Sequence, residues 1–414
     1  MKNSSAFFLF LILLGACSEM EDTENRSSPR KSLSELGLTE TQLRDKILGM
    51  LVGSAIGDAM GAPTEMWTRE AITVEYGFVE SLDSMVREVS PEGIWIANLP
   101  AGGTTDDTRW KVLTSEYLLT QKNNELNSKE FAEQILNTFE SYTKEFKSIE
   151  STDPEPYEAV SLKMGWLQEW AKVSQPFIAD NLVGYADSLG KFYGGEMVCA
   201  GLLYAPALGA YFPGDPEKAY AEAYKLSFYD LGYAKDISSL SAAMTSAGMK
   251  AGATKDSLLA SLRIDPENYF ESRLVGRTSH NILKNALLIA SESATQDSLG
   301  NQLKPNSKAL QFAYAQLDHR LQDMPFHAGE IWVQTLTAML YSDFDFMGTM
   351  SFLVNYGRDN DTTAAVAGGI LGAFYGFDSL PKLEREKILL VNKELLGIDL
   401  ELIADDLTAH MLEK

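Results

Sequence analysis

Two stretches far apart in the chain carry glycine at every fourth position: Gly53, Gly57 and Gly61, then Gly368, Gly372 and Gly376. Residues four apart share one face of an α-helix, and each glycine inside a helix costs roughly 1 kcal/mol relative to alanine. A stripe of three is tolerable where another backbone approaches too closely to leave room for a Cβ. Both helices are therefore expected to be buried and tightly packed, each a candidate partner for the other. Around the first stripe, Ile47, Leu51, Val52, Ala55, Ile56, Ala59 and Met60 form one broad apolar face. Helical periodicity continues through 110–119, 131–142, 160–173, 196–211, 216–226, 237–249, 279–291, 307–321, 330–341, 344–356 and 362–375, and an amphipathic tail runs over 381–414. Alternating strand patterns are scarce, and 72–78, with Tyr76, is the best short candidate. With 45% hydrophobic residues in 414 there is material for a large core, and no fixed-period repeat points to a solenoid. The expected fold class is all-α, a single large helical bundle.

Composition narrows the partners. A net charge of −23 repels phosphate backbones, so no nucleic-acid partner is expected. Two cysteines exclude a disulfide scaffold and a cysteine-rich zinc site, and His280, His319, His327 and His410 are the only histidines. Any bound metal is expected to have oxygen ligands. Met1-Lys2-Asn3, the apolar run 6–14 and then Leu14-Gly15-Ala16-Cys17 read as a secretory signal over residues 1–16, too short to remain as a membrane span. Its ending resembles a bacterial lipobox, which implies cleavage after Ala16 and lipidation of Cys17. Residues 17–32, with Glu19, Glu21, Asp22 and Glu24, read as an acidic tether, and 33–414 as the folded domain, with 120–195 as a cap over its cleft. The expected location is the outer membrane, facing the periplasm or the cell surface, with membrane contact through the lipid anchor alone. Cys199 would then be the one unmodified thiol, a small buried hydrophobe in an apolar helix.

Three acidic clusters sit at helix edges: GDAMGAPTE (57–65), TTDDT (104–108) and GRDNDTT (357–363). Carboxylates at a helix start serve as caps, which accounts for any one cluster taken alone. Adjacent carboxylates repel unless a cation sits between them, and glycines and threonine hydroxyls beside them suit a hard divalent ion such as Mg²⁺ or Mn²⁺. A pair of such ions would polarise both substrate and water.

These three motifs, in this order and helix context from about Leu43 to Phe377, resemble the ADP-ribosylglycohydrolase family. The resemblance implies an all-α orthogonal bundle with two Mg²⁺ (Mn²⁺ as the alternative) at the bottom of a cleft. It implies hydrolysis at the anomeric carbon of an ADP-ribosyl or related small-molecule or protein-linked glycosyl conjugate. Carried over by position, Thr105, Asp106 and Asp107 form one metal-binding motif, and Asp359, Asp361 and Thr362 the other, with Asp361 bridging. Glu65 is placed to contact the metal site and serve in acid/base catalysis, Asp361 is counted with it as catalytic, and Asp58 supports the site from behind.

The wall that would read ADP-ribose departs from the family pattern. Where relatives carry a segment of the Asn-Gly-Ala-Ala-Met-Arg type, this chain has Gly194-Gly195-Glu196-Met197-Val198 and then Tyr204 near the arginine position. Glu196 brings a negative charge, and Ser227-Phe228-Tyr229-Asp230 replaces a histidine-bearing turn. Glu196, Tyr204 and His327 are the expected substrate contacts, His327 being better suited to a capping or surface role. Trp95, Trp166, Trp170, Tyr185, Phe192, Tyr193 and Trp332 are candidate cleft or core aromatics. Such a wall suits an uncharged ribosyl substrate better than a diphosphate. Two other classes compete. Asp359-x-Asp361-x-Thr363 fits a phosphatase nucleophile loop, which needs a strand that these helical surroundings lack. A non-catalytic glycan- or ligand-binding outer-membrane lipoprotein would not need three carboxylate motifs.

Overall fold

A computed structural model describes residues 30–85, 98–122, 124–265, 270 and 272–413. The signal-like run, Cys17 and Trp95 lie outside them. The striped stretches are two helices, Glu40–Gly61 and Asn360–Tyr375, packed antiparallel. A methyl built on Gly53 would land on the carbonyl of Gly368, one on Gly57 on the carbonyl of Ala364, and one on Gly372 on the carbonyl of Gly49. Gly49 thus extends the first stripe by a turn. Gly376 leaves the second stripe, because it ends its helix at φ 85° as the C-cap. Residues 47–61 and 360–373 are buried without interruption, so the pair is the centre of the core. The stretch Glu40–Thr64 is long and apolar enough to cross a bilayer, yet here its apolar part is buried inside the protein, and only its first turns reach solvent. Its start is a capping box: the Thr39 hydroxyl accepts from the Gln42 amide while the Gln42 side chain accepts from the Thr39 amide.

Helices Asp106–Thr120, Ala205–Tyr211, Ala234–Gly248, Ala328–Tyr341 and Phe346–Tyr356 surround this pair, and Lys382–Val391 and Leu400–Leu412 close the outer side of Glu40–Gly61. Ser128–Lys147 and Gln168–Ile178, from the 120–195 segment, pack on each other. They join the core through aromatic contacts, with Trp170 against Trp110 at 4.1 Å between ring centroids and Phe131 against Tyr204 at 5.2 Å.

Three local expectations change. The strand expected at 72–78 is a helix, Arg69–Glu75: Thr68 caps it by accepting from the Ala71 amide, and only Ile72 of the alternating residues is buried. Among the described residues there are no strands, only isolated antiparallel bridges at Met85–Leu99 and Val198–His327. The helix expected at 196–211 begins only at Ala200 and restarts at Ala205, where Pro206 sits in the first turn. Residues 196–199 are instead non-helical chain held to 326–328, with the Cys199 amide donating to the Phe326 carbonyl (3.0 Å) and the Ala328 amide to the Met197 carbonyl (2.9 Å). Cys199 is therefore buried but not helical. The 160–173 helix breaks at Gly165 into Glu155–Met164 and Gln168–Ile178, joined by a 3₁₀ turn.

Candidate active site

Antiparallel packing brings the C-terminal end of Glu40–Gly61 to the N-terminal end of Asn360–Tyr375. A Cβ on Gly61 would strike the backbone of Asp361, so the first and third motifs meet because glycine lets these helix ends touch. Asp58 brings in the second motif. Its buried carboxylate accepts from the Thr105 amide (3.0 Å) and hydroxyl (2.9 Å), and from the Thr108 amide (3.0 Å) and hydroxyl (2.6 Å). Those bonds fix the start of Asp106–Thr120 against the central pair. Thr105 is also the cap of that helix, accepting from the Asp107 amide. Asp106 and Asp107 are thus not spent as caps. Asp359 stands at the N-cap of its helix without making a side-chain capping bond. Asp106, Asp107 and Asp359 make no capping bond of their own, although Asp106, Asp107 and Asp361 do stand in first turns where the helix dipole favours them.

What they do instead is converge. Carboxylate oxygens of Glu65, Asp359 and Asp361, all buried, lie within 4.8 Å of one another. Asp106 and Thr362 line the same cavity. The Thr105 hydroxyl lies 3.5 Å from Asp361 Oδ2, and Thr362 donates its hydroxyl to Asp107 Oδ2 at 2.9 Å. Two backbone bonds knit the Glu65 turn to the Asp359 loop: the Met66 amide to the Arg358 carbonyl (2.7 Å) and the Arg358 amide to the Trp67 carbonyl (3.1 Å). The sequence reading missed Lys111. Its ammonium reaches Asp107 Oδ1 at 3.0 Å, both groups buried, and its signal was a lysine four residues after an aspartate in a helix otherwise apolar around Trp110 and Leu113.

Electrostatically the cluster is loaded. Burial, reinforced by the charge of Asp107, pushes Asp106 and Asp359 up to about 7 and Asp58 up to about 6. Burial, then Glu65 and Asp359, raise Asp361 well above the carboxylate range. Carboxylates in this state favour either protons or a cation. The donors are hard oxygens, and none of the described residues lining the cavity is basic, so the donor set fits a divalent metal ion.

Above the carboxylate floor the cavity, of about 290 Å³, is lined by Met66, Trp170, Tyr193, Val198, Cys199, Ala200, Leu203 and Phe326. None of the three expected substrate contacts is among them. Tyr204 is fully buried in the aromatic core and donates its hydroxyl to the Leu226 carbonyl at 2.7 Å. Glu196 faces solvent on the chain leading into the wall. His327 is a cap: its Nδ1 accepts from the Gly329 amide at 3.1 Å, and its neighbour Phe326 is the residue that reaches the cavity. The altered turn at Ser227–Asp230 lies behind the wall, where Asp230 accepts from the Gly201 amide (2.8 Å) and the Ser238 hydroxyl (2.6 Å). Of the candidate aromatics, Trp170 and Tyr193 reach the cavity. Phe192 and Trp332 are core, and Trp166 packs on Trp110.

Comparison with known proteins bears on the family and the fold. The sequence model of the ADP-ribosylglycohydrolase family matches residues 39–414. A solved structure described as an ADP-ribosylglycohydrolase-related protein complex superposes with a TM-score of 0.53 at 19% identity, covering 90% of this chain and all of that one. At that identity the likeness concerns the fold. The uncharacterized protein YegU of Escherichia coli (strain K12) is 44% identical over 36 residues, a match spanning 9% of this chain and 11% of that protein.

Proposed function

The chain belongs to the ADP-ribosylglycohydrolase family, and from that premise we propose that it is a Mg²⁺-dependent hydrolase of the glycosidic bond at the anomeric carbon of an ADP-ribosyl or related glycosyl conjugate. The observation that carries this reading is the convergence of Glu65, Asp359 and Asp361 at the floor of a walled cavity. Thr105, Asp106, Asp107, Asp359, Asp361 and Thr362 would hold two Mg²⁺ or Mn²⁺ ions. Bound there, the ions would supply Lewis acidity and a fixed positive field at the sugar hydroxyls and the attacking water.

The chain's own residues do the rest. Glu65, part of the carboxylate group yet placed on a separate turn, takes a proton from water or passes one to the leaving group. The carboxylate floor as a whole favours positive charge developing at the anomeric carbon. Asp58 holds Thr105 and the second motif in register, and Thr362 and Lys111 orient the two oxygens of Asp107. The apolar wall excludes bulk water. We further propose that the protein is exported and anchored at the outer membrane by lipid on Cys17, a reading that rests on residues 1–17. Cys17→Ser is expected to move it from the membrane to the soluble fraction, and unchanged membrane retention would count against the anchor.

The test of function is release of free sugar from ADP-ribosyl-arginine, ADP-ribosyl-serine, nucleosides and simple glycosides, with Mg²⁺ and with a chelator. Turnover that needs Mg²⁺ and is lost in Glu65→Gln is the expected result. Tight binding of a glycosyl ligand without turnover in Mg²⁺ would make the protein a binder instead.

A further inference from the structure

The charge and shape of the cavity bear on which conjugate it takes. Four carboxylates line its floor, and among the described residues no lysine, arginine or histidine lines any part of it. The cations nearest the site do not line the cavity. Lys111 is buried against Asp107, and Arg358 makes a two-pronged ion pair with buried Glu330 at 2.8 and 2.9 Å. Arg109 acts electrostatically on Asp106 and Asp58 but lines a different cavity, with Val112, Glu116 and Tyr142. Beyond the carboxylate floor and any ions it holds, a diphosphate brought against the upper wall would lose its water and meet no basic side chain among the described residues lining the cavity.

The upper wall has the opposite character. Trp170, Tyr193 and Phe326 give it flat aromatic faces, with Val198 and Leu203 between them. Tyr193 is held in the left-handed region at φ 44°, followed by Gly194 at 75° and Gly195 at 86°. Glycine would sit there without strain, whereas a tyrosine is an outlier. Here the strained residue is the one whose ring lies on the cavity, edge-on to Phe326 at 5.7 Å between centroids. The volume, about 290 Å³, is at the small end for a ligand pocket.

We propose that the substrate is a riboside whose aglycone is an uncharged, planar heteroaromatic base, carrying no diphosphate. The proposal rests on the hydrolase reading of the same cavity. The base lies among Trp170, Tyr193 and Phe326, and the ribose points at the carboxylate floor. Water forms the new bond to the anomeric carbon as the carbon–nitrogen bond breaks. The bonding pair leaves with the base nitrogen, which takes up a proton, and free sugar and free base are the products.

The experiment is a binding series on the full chain with Mg²⁺, using adenosine, AMP and ADP-ribose as probes, alongside a base-release assay. Adenosine is expected to bind at least 10-fold more tightly than AMP, with ADP-ribose weaker again. Tyr193→Gly suits the left-handed backbone and so keeps the fold, and it is expected to weaken adenosine binding about 10-fold. Met66→Arg adds a cation at the exposed mouth and is expected to raise ADP-ribose affinity about 10-fold relative to adenosine. The reverse affinity order, or no binding of adenosine while ADP-ribosyl conjugates are hydrolysed, overturns the substrate class and leaves the hydrolase reading standing. Adenosine bound in the expected order with no base released overturns the hydrolase reading and leaves the ligand class standing.

Discussion

The floor and the wall of one cavity are built in opposite ways. The floor is made of charges that neighbour one another along the chain, in three short runs anchored at helix ends. The wall is made of single residues from distant places: Met66, Trp170, Tyr193, the 198–203 segment and Phe326. Floor residues are held by bonds with named partners, such as Asp58 to Thr105 and Lys111 to Asp107. Wall residues are held mainly by packing and by the bridge of Val198 to His327. On the proposed function, reaction chemistry and ligand choice are carried by different parts of the molecule, and substitutions in the two should separate into kcat and KM effects.

The largest separation is expected from the floor. Asp361→Ala should lower kcat by about 10³-fold or more, since charge stabilisation at the reacting centre is lost. It should also abolish the Mg²⁺-dependent rise in Tm while raising the Tm measured without metal, because a carboxyl whose burial and acidic neighbours disfavour its ionised form is gone. A loss of kcat with the metal response intact would break the link between the two. Next comes Lys111→Met, which leaves Asp107 buried without its counter-charge. A destabilisation of about 3–5 kcal/mol is expected in urea without metal, partly recovered by Mg²⁺. A loss below about 1 kcal/mol, the worth of an exposed pair, would contradict the pairing.

A smaller, graded effect is expected with pH. Asp106 and Asp359, raised to about 7, and Asp58, raised to about 6, keep protons in the folded chain at pH values where the unfolded chain has lost them. The folded state then binds more protons, so stability without metal falls as pH rises from about 4 through 7. Bound Mg²⁺ needs the deprotonated forms, so its Tm increment should grow from pH 5 to pH 8 in thermal melts. An increment that shrinks over that range would contradict a carboxylate site. Smallest is the wall: Phe326→Ala should raise KM about 10-fold with kcat within about 3-fold, as expected from the loss of one stacking face. Equal losses in kcat would blur the floor–wall distinction.

Glycine every fourth residue in two apolar helices has few physical explanations, and so their close packing was legible before any coordinates. The carboxylate motifs were legible for a similar reason, because residues adjacent in sequence at a helix end stay adjacent in space. Asp58 announced itself as the lone acid on a small-residue face. The wall was legible only in part: Trp170 and Tyr193 were among the candidate cleft aromatics, but nothing in a linear spacing tells which way Tyr204 or Glu196 points. Pro206 restarts the helix so that Tyr204 turns inward, and the extended chain at 196–199 turns Glu196 outward. His327 lost to Phe326 because its ring nitrogen has a cap to make. The strand expected at 72–78 failed because a single buried residue, Ile72, cannot outweigh a capped start at Thr68.

Anomalous diffraction from crystals grown in Mn²⁺ tests most directly whether acids from three distant segments form one cation site. Two peaks are expected between the Asp106–Asp107 start of one helix and the Asp359–Asp361 start of another, with Glu65 in reach of one of them. A cavity floor free of anomalous signal at saturating Mn²⁺ would contradict that site.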